Sequence, residues 1–162
     1  MVVFPRNISE DIETLTVSSS AFNDHTIIPI RYTCDGENIN PPITIQNIPE
    51  GTKSMVLIVE DPDAPVRSWV HWIVWDIPPT TKVKEKLMSV LGVVGTNDFG
   101  KKKYIGPCPP SGVHRYFFKV YALNDVLKLK PTAKKVELEK EMSSHIIGFG
   151  ELVGLYKRIN NN

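Results

Sequence analysis

Residues 55–60 have the sequence MVLIVE, and this stretch decides the fold class. Five consecutive apolar residues, three of them β-branched, are typical of a strand that is buried on both faces. HWIVWDI at 71–77 and RYFFKVYAL at 115–123 are similarly rich in aromatic and β-branched residues. The sequence therefore predicts at least three strong β-strands.

Weaker strand signals surround these three stretches. Alternating or β-branched segments occur at 12–17, 26–33, 43–48 and 151–159. Pro29 cannot donate a hydrogen bond to a neighbouring strand, so we place its strand at a sheet edge. Residues 80–103 are polar and interrupted by glycine after Leu91, which predicts mostly loop with a short strand or turn.

Helical spacing is clear in one segment, PTAKKVELEKEMSSHIIG at 131–148. Its apolar residues recur among charged ones with a helical period, at Val136, Leu138, Met142 and Ile146. Pro131 and Thr132 provide a start signal, and Gly148 provides a stop signal. We predict a mainly β fold of two packed antiparallel β-sheets with one main peripheral α-helix near 132–147, in a single domain over 1–162.

Length and composition fit an ordinary globular domain. The chain has 162 residues and a formal net charge of +1, so no strong positive field points to nucleic acid. No apolar stretch approaches the length of a transmembrane helix. The N-terminus, MVVFPRNISEDIETL, has a short apolar run that ends at Pro5, unlike a signal peptide. We therefore expect a cytoplasmic location.

The two cysteines, Cys34 and Cys108, lie in loops rich in proline and glycine and form no CxxC motif. Two thiols are too few for the disulfide framework of a small secreted protein. We therefore predict two reduced thiols. A single bridge stays open as the alternative, more so if the chain comes from a hyperthermophile.

Three rigid turns place polar groups at the ends of the strong strands: EDPDAP at 60–65, SWVHW at 68–72 and GPCPPSGVHRY at 106–116. If His114 begins a strand, it shares a face with Tyr116, roughly 6–7 Å away. Asp61 would accept a histidine ring N–H, and backbone N–H groups around Gly106 and Gly112 would add donors. This pattern predicts an anion pocket above an apolar floor.

Each of these residues also has an ordinary structural explanation. Asp61 and Asp63 are typical of Asx-turns around Pro62, and His71 is compatible with a hydrogen-bonded core histidine. Taken singly, these explanations are favoured. Taken together they are weaker, because three rigid turns each bring a polar group to a strand end.

An enzyme is the competing class of function. Asp61, His71 and His114 could form a two-histidine, one-carboxylate metal site or an acid–base set acting on a phosphoester. The sequence has neither HxH nor HExxH spacing, and no serine in a nucleophile elbow. We therefore expect a binding protein without metal or cofactor, and keep a metal- or histidine-dependent phosphoester hydrolase as the alternative.

The same three segments resemble the signature of the phosphatidylethanolamine-binding protein family, also called the Raf kinase inhibitor protein family. YTCDG at 32–36, NPP at 40–42 and VYAL at 120–123 resemble its shorter prokaryotic branch, and the resemblance covers about residues 20–158. It implies two antiparallel β-sheets, peripheral helices and a pocket for phosphate, acetate or a phosphorylated headgroup. Carried over residue by residue, the pocket would use Asp61, Trp69, His71, Gly106, Pro107, His114 and Tyr116.

The resemblance also implies partners. Family members suggest inhibition of a serine protease or a kinase, and the segments 61–67 and 106–113 are the rigid loops that could enter a protease cleft. Eukaryotic members continue into a C-terminal helix near the pocket, whereas this sequence ends in LYKRINNN. We therefore doubt kinase regulation of the eukaryotic kind, and we expect a homodimer as one way to cover the surface exposed there. The KKK run at 101–103 is expected to be a solvated loop.

Overall fold

The structure is a computed structural model, and it describes residues 11–86 and 91–159. The expectation about a signal peptide concerns mainly residues 1–10, which lie outside the described residues. Within the described ranges the chain forms ten strands, a 3-10 turn at Ile30–Tyr32 and one α-helix. In chain order these are β1 (Glu13–Thr14), β2 (Thr16–Ser18), β3 (Thr26–Ile27), β4 (Ile43–Gln46), β5 (Ser54–Asp61), β6 (Trp69–Ile77), β7 (Lys82–Val83), β8 (Val93–Val94), β9 (His114–Leu123), α1 (Lys135–Met142) and β10 (Ile146–Tyr156).

The larger sheet has seven strands in the order β1-β10-β9-β5-β6-β8, with β3 also paired to β10. Its long strands, β5, β6, β9 and β10, pair antiparallel, while the two-residue strands β1 and β3 pair parallel with β10. All eight residues of β5 are buried, as the apolar run MVLIVE predicts. A strand with this burial lies inside the sheet and is covered on both faces.

The smaller sheet, in the order β2-β4-β7, packs on one face of the larger sheet. The odd-numbered apolar residues of β5 belong to the core between the two sheets, whereas Val56 and Ile58 face a second core. That second core includes Leu138 and Met142 of α1. The predicted fold class is confirmed: two packed sheets with one peripheral helix, in which each face of β5 serves a different core.

The helix is shorter than the predicted 132–147. It spans Lys135–Met142, and Ile146 already begins β10. Leu138, Met142 and Ile146 are all fully buried, so the apolar spacing was informative about burial. The helical spacing placed Ile146 in the helix wrongly, because a strand that soon follows a helix can bury a residue at the position where the next helical turn would bury one. Val136, assigned to the apolar side, is 77% exposed.

Two predicted strands have different bounds in the structure. Only Thr26–Ile27 of the segment 26–33 is a strand, because the chain turns after Pro29 into the 3-10 turn. The last strand begins earlier than the predicted 151, at Ile146. Residues 80–103 contain the short strands β7 and β8, and 87–90 lie outside the described residues. No helix of the described ranges has both the length and the apolar character needed to span a membrane.

Candidate functional site

The three strand ends that carry the predicted polar residues meet at one edge of the larger sheet. Because β5 runs antiparallel to both β6 and β9, its last residues lie beside the first residues of its two neighbours. Asp61 pairs with Trp69 of β6, and Glu60 pairs with Phe117 of β9. The sheet topology thus brings Asp61 and Trp69 together with the start of β9, which follows Asp61 by more than fifty residues in the sequence.

His71 is the extra residue of a β-bulge in β6. Val59 pairs with Trp72 and Glu60 with Val70, so His71 has no partner opposite it on β5. The bulge turns Val70 toward the core beneath the helix and Trp72 toward the core between the sheets. Bulges re-aim side chains at sheet ends, and here the bulge fixes the position of a buried histidine.

Asp61 holds His114 by a short, buried contact. The Nδ1 atom of His114 lies 2.6 Å from Oδ2 of Asp61, and the other carboxylate oxygen accepts the backbone N–H of Asp63 at 2.8 Å. Asp61 therefore forms the turn expected around Pro62 and also orients a histidine. The expected turn and the expected contact with a histidine are both present, and the role of Asp61 in an anion site stays a prediction.

The ring of His71 is fixed in one orientation. Its Nδ1 atom lies 2.6 Å from the carbonyl oxygen of Ile105, and because a carbonyl only accepts, Nδ1 carries the proton. Burial lowers the pKa of His71 below its usual value near 6.5, although the Ile105 carbonyl and the Asp61 charge oppose that shift. In neutral His71 the Nε2 atom is consequently an acceptor, and it becomes a donor only when the ring takes up a proton.

A cavity of about 250 Å³ opens at this edge of the sheet. Four residues of the predicted site line it, namely Asp61, Trp69, His71 and Tyr116, together with Arg67, Phe99 and the turn residues 64–66 and 108–110. The Tyr116 ring lies edge-on to His71 at 5.4 Å between centroids and 6.5 Å from the His114 ring. Burial and the Asp61 carboxylate raise the pKa of Tyr116, so its hydroxyl stays protonated.

Gly106, Pro107 and His114 do not line this cavity. The Gly106 N–H, expected to be a free donor, already donates to Oδ1 of Asn38 at 2.7 Å. The Pro107 carbonyl accepts the Cys34 N–H at 3.1 Å. Gly106 and Pro107 therefore fix the loop to the segment around residues 30–38, and His114 contacts the cavity through Asp61 and Tyr116.

Cys34 and Cys108 form a disulfide, so the prediction of two reduced thiols was wrong. Their Cα atoms lie 5.4 Å apart across 74 residues of sequence. The pairing depends on the loop 104–108 lying against residues 32–38, a contact that the hydrogen bond from Tyr104 Oη to the Tyr32 carbonyl also maintains. Loop composition alone carries no information about that contact. Cys108 also lines the cavity, so the disulfide holds one of its walls.

Known proteins are similar to this chain over the segments that build the site. The family model for phosphatidylethanolamine-binding protein matches residues 18–157. The chain belongs to this family. The two sheets and the one helix that the described residues form agree with this membership.

One relative within this family is the protein PH1269 of Pyrococcus horikoshii, which is 50% identical to this chain over 149 residues. The match covers 86% of this chain and 75% of that protein. Among solved structures, CT736 of Chlamydia trachomatis, a phosphatidylethanolamine-binding protein homologue, superposes with a TM-score of 0.86 at 39% identity, covering 90% of this chain and 99% of that one. YbcL of Escherichia coli, a member of the same family, superposes with a TM-score of 0.83 at 29% identity, covering 89% and 98%.

Two residues that line the cavity, Phe99 and Arg67, were not identified from the sequence. Phe99 packs against His71 at 5.2 Å and against Trp69 at 5.7 Å between ring centroids. Arg67 places its guanidinium carbon 5.0 Å from the Trp69 ring centroid. Arg67 lies between the segments 60–65 and 68–72, two residues before Trp69, and that position was a usable signal. Phe99 lies in a segment assigned to loop, where nothing distinguishes it.

Proposed function

We propose that this chain binds a small anion, a phosphate or carboxylate group borne by its ligand, in the cavity beside His71. The observation that carries the proposal is the orientation of His71. Its Nδ1–H is committed to Ile105, so Nε2 is the ring atom left for a ligand. A buried imidazolium needs a counter-charge, and an anion in the cavity supplies it, so binding and protonation of His71 favour each other.

The neighbouring groups support the same proposal. Tyr116 lines the cavity with a hydroxyl that stays protonated near the Asp61 carboxylate, and Arg67 contributes a permanent positive charge to the lining. Phe99 packs on the imidazole of His71 and against Trp69, and this apolar surrounding strengthens the interaction of the imidazole with a bound anion. Sequence segments and cavity geometry both favour a binding module, and family membership agrees with it.

The experiment is a calorimetric titration with inorganic phosphate and with phosphoethanolamine. Wild type is compared with the His71→Ala/His114→Ala double variant and with His25→Ala, whose side chain is 66% exposed and lies outside the cavity lining. We expect wild type and His25→Ala to bind alike and the double variant to lose binding. Absence of binding by wild type, or retained binding by the double variant, would overturn the proposal.

Inhibition of a protease is a second candidate, favoured by one observation. Val66 is 94% exposed at the tip of the turn between β5 and β6. That turn is held on one side by the Asp61–Asp63 bond and on the other by the Arg67–Asp98 pair. A rigid turn with an exposed apolar residue suits a protease cleft, because little conformational entropy is lost on binding. Adding wild type to a serine protease should lower the protease activity, and adding Val66→Asp instead should lower it much less. Protease activity that wild type leaves unchanged excludes this candidate.

No feature of the described residues favours the phosphoester hydrolase that would use Asp61, His71 and His114. In the described ranges no three His, Cys, Asp or Glu side chains are grouped to hold a metal ion. The hydroxyl of Ser68 donates to Glu60, which also accepts a hydrogen bond from Lys135 of the helix. The Ser68 hydroxyl is therefore turned away from the Asp61–His114 pair.

A further inference from the structure

Before an anion binds, the floor of the cavity has no net positive charge, and His71 supplies only one positive charge when binding protonates it. The negative charge of the Asp61 carboxylate cancels any positive charge on His114, its partner. Burial favours the neutral form of His71. Tyr116 is neutral. A dianionic phosphate group needs a stronger compensating charge than these residues provide.

Arg67 is the one lining residue of this cavity, among those the structure describes, whose side chain is positive at every physiological pH. Its Nη1 and Nη2 atoms lie 3.0 and 3.3 Å from the two carboxylate oxygens of Asp98. Asp98 is itself fixed, because it accepts the Val70 backbone N–H at 2.7 Å and its side chain is 8% exposed. The guanidinium therefore has a fixed position between Asp98 and the Trp69 ring.

The bonds to Asp98 use two of the five guanidinium N–H groups. The Arg67 side chain is 58% exposed, so the remaining donors are accessible. A guanidinium presents paired donors that match two oxygens of a phosphate group, and a pre-positioned one loses little entropy on binding. Arg67 combines the charge, the accessible donors and the fixed position that the floor of the cavity lacks.

We propose that Arg67 is the specificity-determining cation of this cavity, which makes it prefer a ligand with a doubly charged phosphate group to one with a single carboxylate. This inference rests on the proposed anion-binding function. Arg67 and His71 line the same cavity, and in this proposal both contact the bound anion. Trp69 and Asp98 are positioning residues for the guanidinium.

The test measures the affinities of inorganic phosphate and of acetate near neutral pH for wild type and for Arg67→Gln. Loss of charge-assisted hydrogen bonds should weaken phosphate binding about 10- to 100-fold. Acetate binding should weaken much less, so that the preference for phosphate shrinks. Arg115→Gln is the matched control, because Arg115 also forms a bidentate pair, with Asp63, and does not line the cavity.

A double variant, Arg67→Gln/Asp98→Asn, separates the role of the guanidinium from an indirect effect of Asp98. Removing Arg67 alone leaves the Asp98 carboxylate without its cation, and that charge could repel an anion. We expect phosphate binding to stay weak in the double variant. Recovery of phosphate affinity there, or an unchanged phosphate preference in Arg67→Gln, would overturn the inference while leaving the anion site in place. Failure of wild type to bind either anion would overturn both proposals.

Discussion

The imidazole of His114 and the carboxylate of Asp61 meet at 2.6 Å with side chains only 9% and 5% exposed. One side chain comes from the first residue of β9 and the other from the last residue of β5. Their contact therefore ties the ends of two neighbouring strands at the edge where the cavity opens. A contact buried to this degree stabilises the fold as well as arranging the site.

Removal of His114 should destabilise the fold, because the buried Asp61 carboxylate loses the histidine that contacts its Oδ2 atom. For His114→Ala we expect a loss of about 3 kcal/mol in the free energy of unfolding, measured by urea denaturation. The control is Arg115→Ala on the same strand, whose pair with Asp63 is partly exposed and should contribute no more than about 1 kcal/mol. Equal losses for the two variants would contradict a special role for the buried pair.

The pH dependence of stability should carry the signature of His71. Its pKa is lowered in the folded state, so between the folded and unfolded pKa values the unfolded chain binds more protons. Stability should therefore be complete above the unfolded value near 6.5 and fall as the pH decreases below it. The expected slope approaches, at most, about 1.4 kcal/mol per pH unit.

The measurement is urea unfolding of wild type and His71→Asn at several pH values from neutral to mildly acidic. Asparagine keeps a donor for the Ile105 carbonyl but does not titrate, so its slope in this range should be smaller. Saturating phosphate should also reduce the slope in wild type, because the bound anion raises the pKa of His71. Identical slopes for wild type and His71→Asn would show that other groups titrate.

The strands that build the site could be predicted from local sequence, whereas the contacts across the site could not. MVLIVE identifies a strand that is buried on both faces, and the aromatic and β-branched residues of RYFFKVYAL identify a second long strand. The separation of His114 and Tyr116 followed from strand geometry. The bulge at His71 depends on pairing with β5, and the disulfide depends on two loops 74 residues apart. Pairing register and long-range contact are properties of the assembled sheets.

Gly106 should be intolerant of even the smallest side chain. A Cβ atom at this position would lie 2.2 Å from the Tyr32 carbonyl oxygen and 2.7 Å from Oδ1 of Asn38. For Gly106→Ala we expect a loss of about 1–3 kcal/mol in unfolding free energy, since the backbone of one segment must move. Ser111→Ala, an exposed position in the same loop, serves as the control and should be nearly neutral. A loss as small as that of Ser111→Ala would show that the two segments separate easily.

The disulfide should stabilise the fold and hold the cavity wall. Closing a loop of 74 residues restricts the unfolded chain, so Cys34→Ala/Cys108→Ala should lose about 4 kcal/mol in unfolding free energy. Disulfides persist in oxidising compartments and inside hyperthermophiles, so the bridge fits a cytoplasmic location only in the second case. The cytoplasmic location stays a prediction.

Phosphate affinity should also fall in the double alanine variant. Residues 104–107 keep their hydrogen bonds to the segment around 32–38, but the wall formed by 108–110 loses its covalent attachment. Wild type treated with a dithiol reductant should reproduce both changes, measured by urea unfolding and calorimetric titration. The reductant should leave the variant unaffected, because the chain has no other cysteine. Wild type that keeps its stability and its phosphate affinity when fully reduced would show that the hydrogen bonds alone hold the loop.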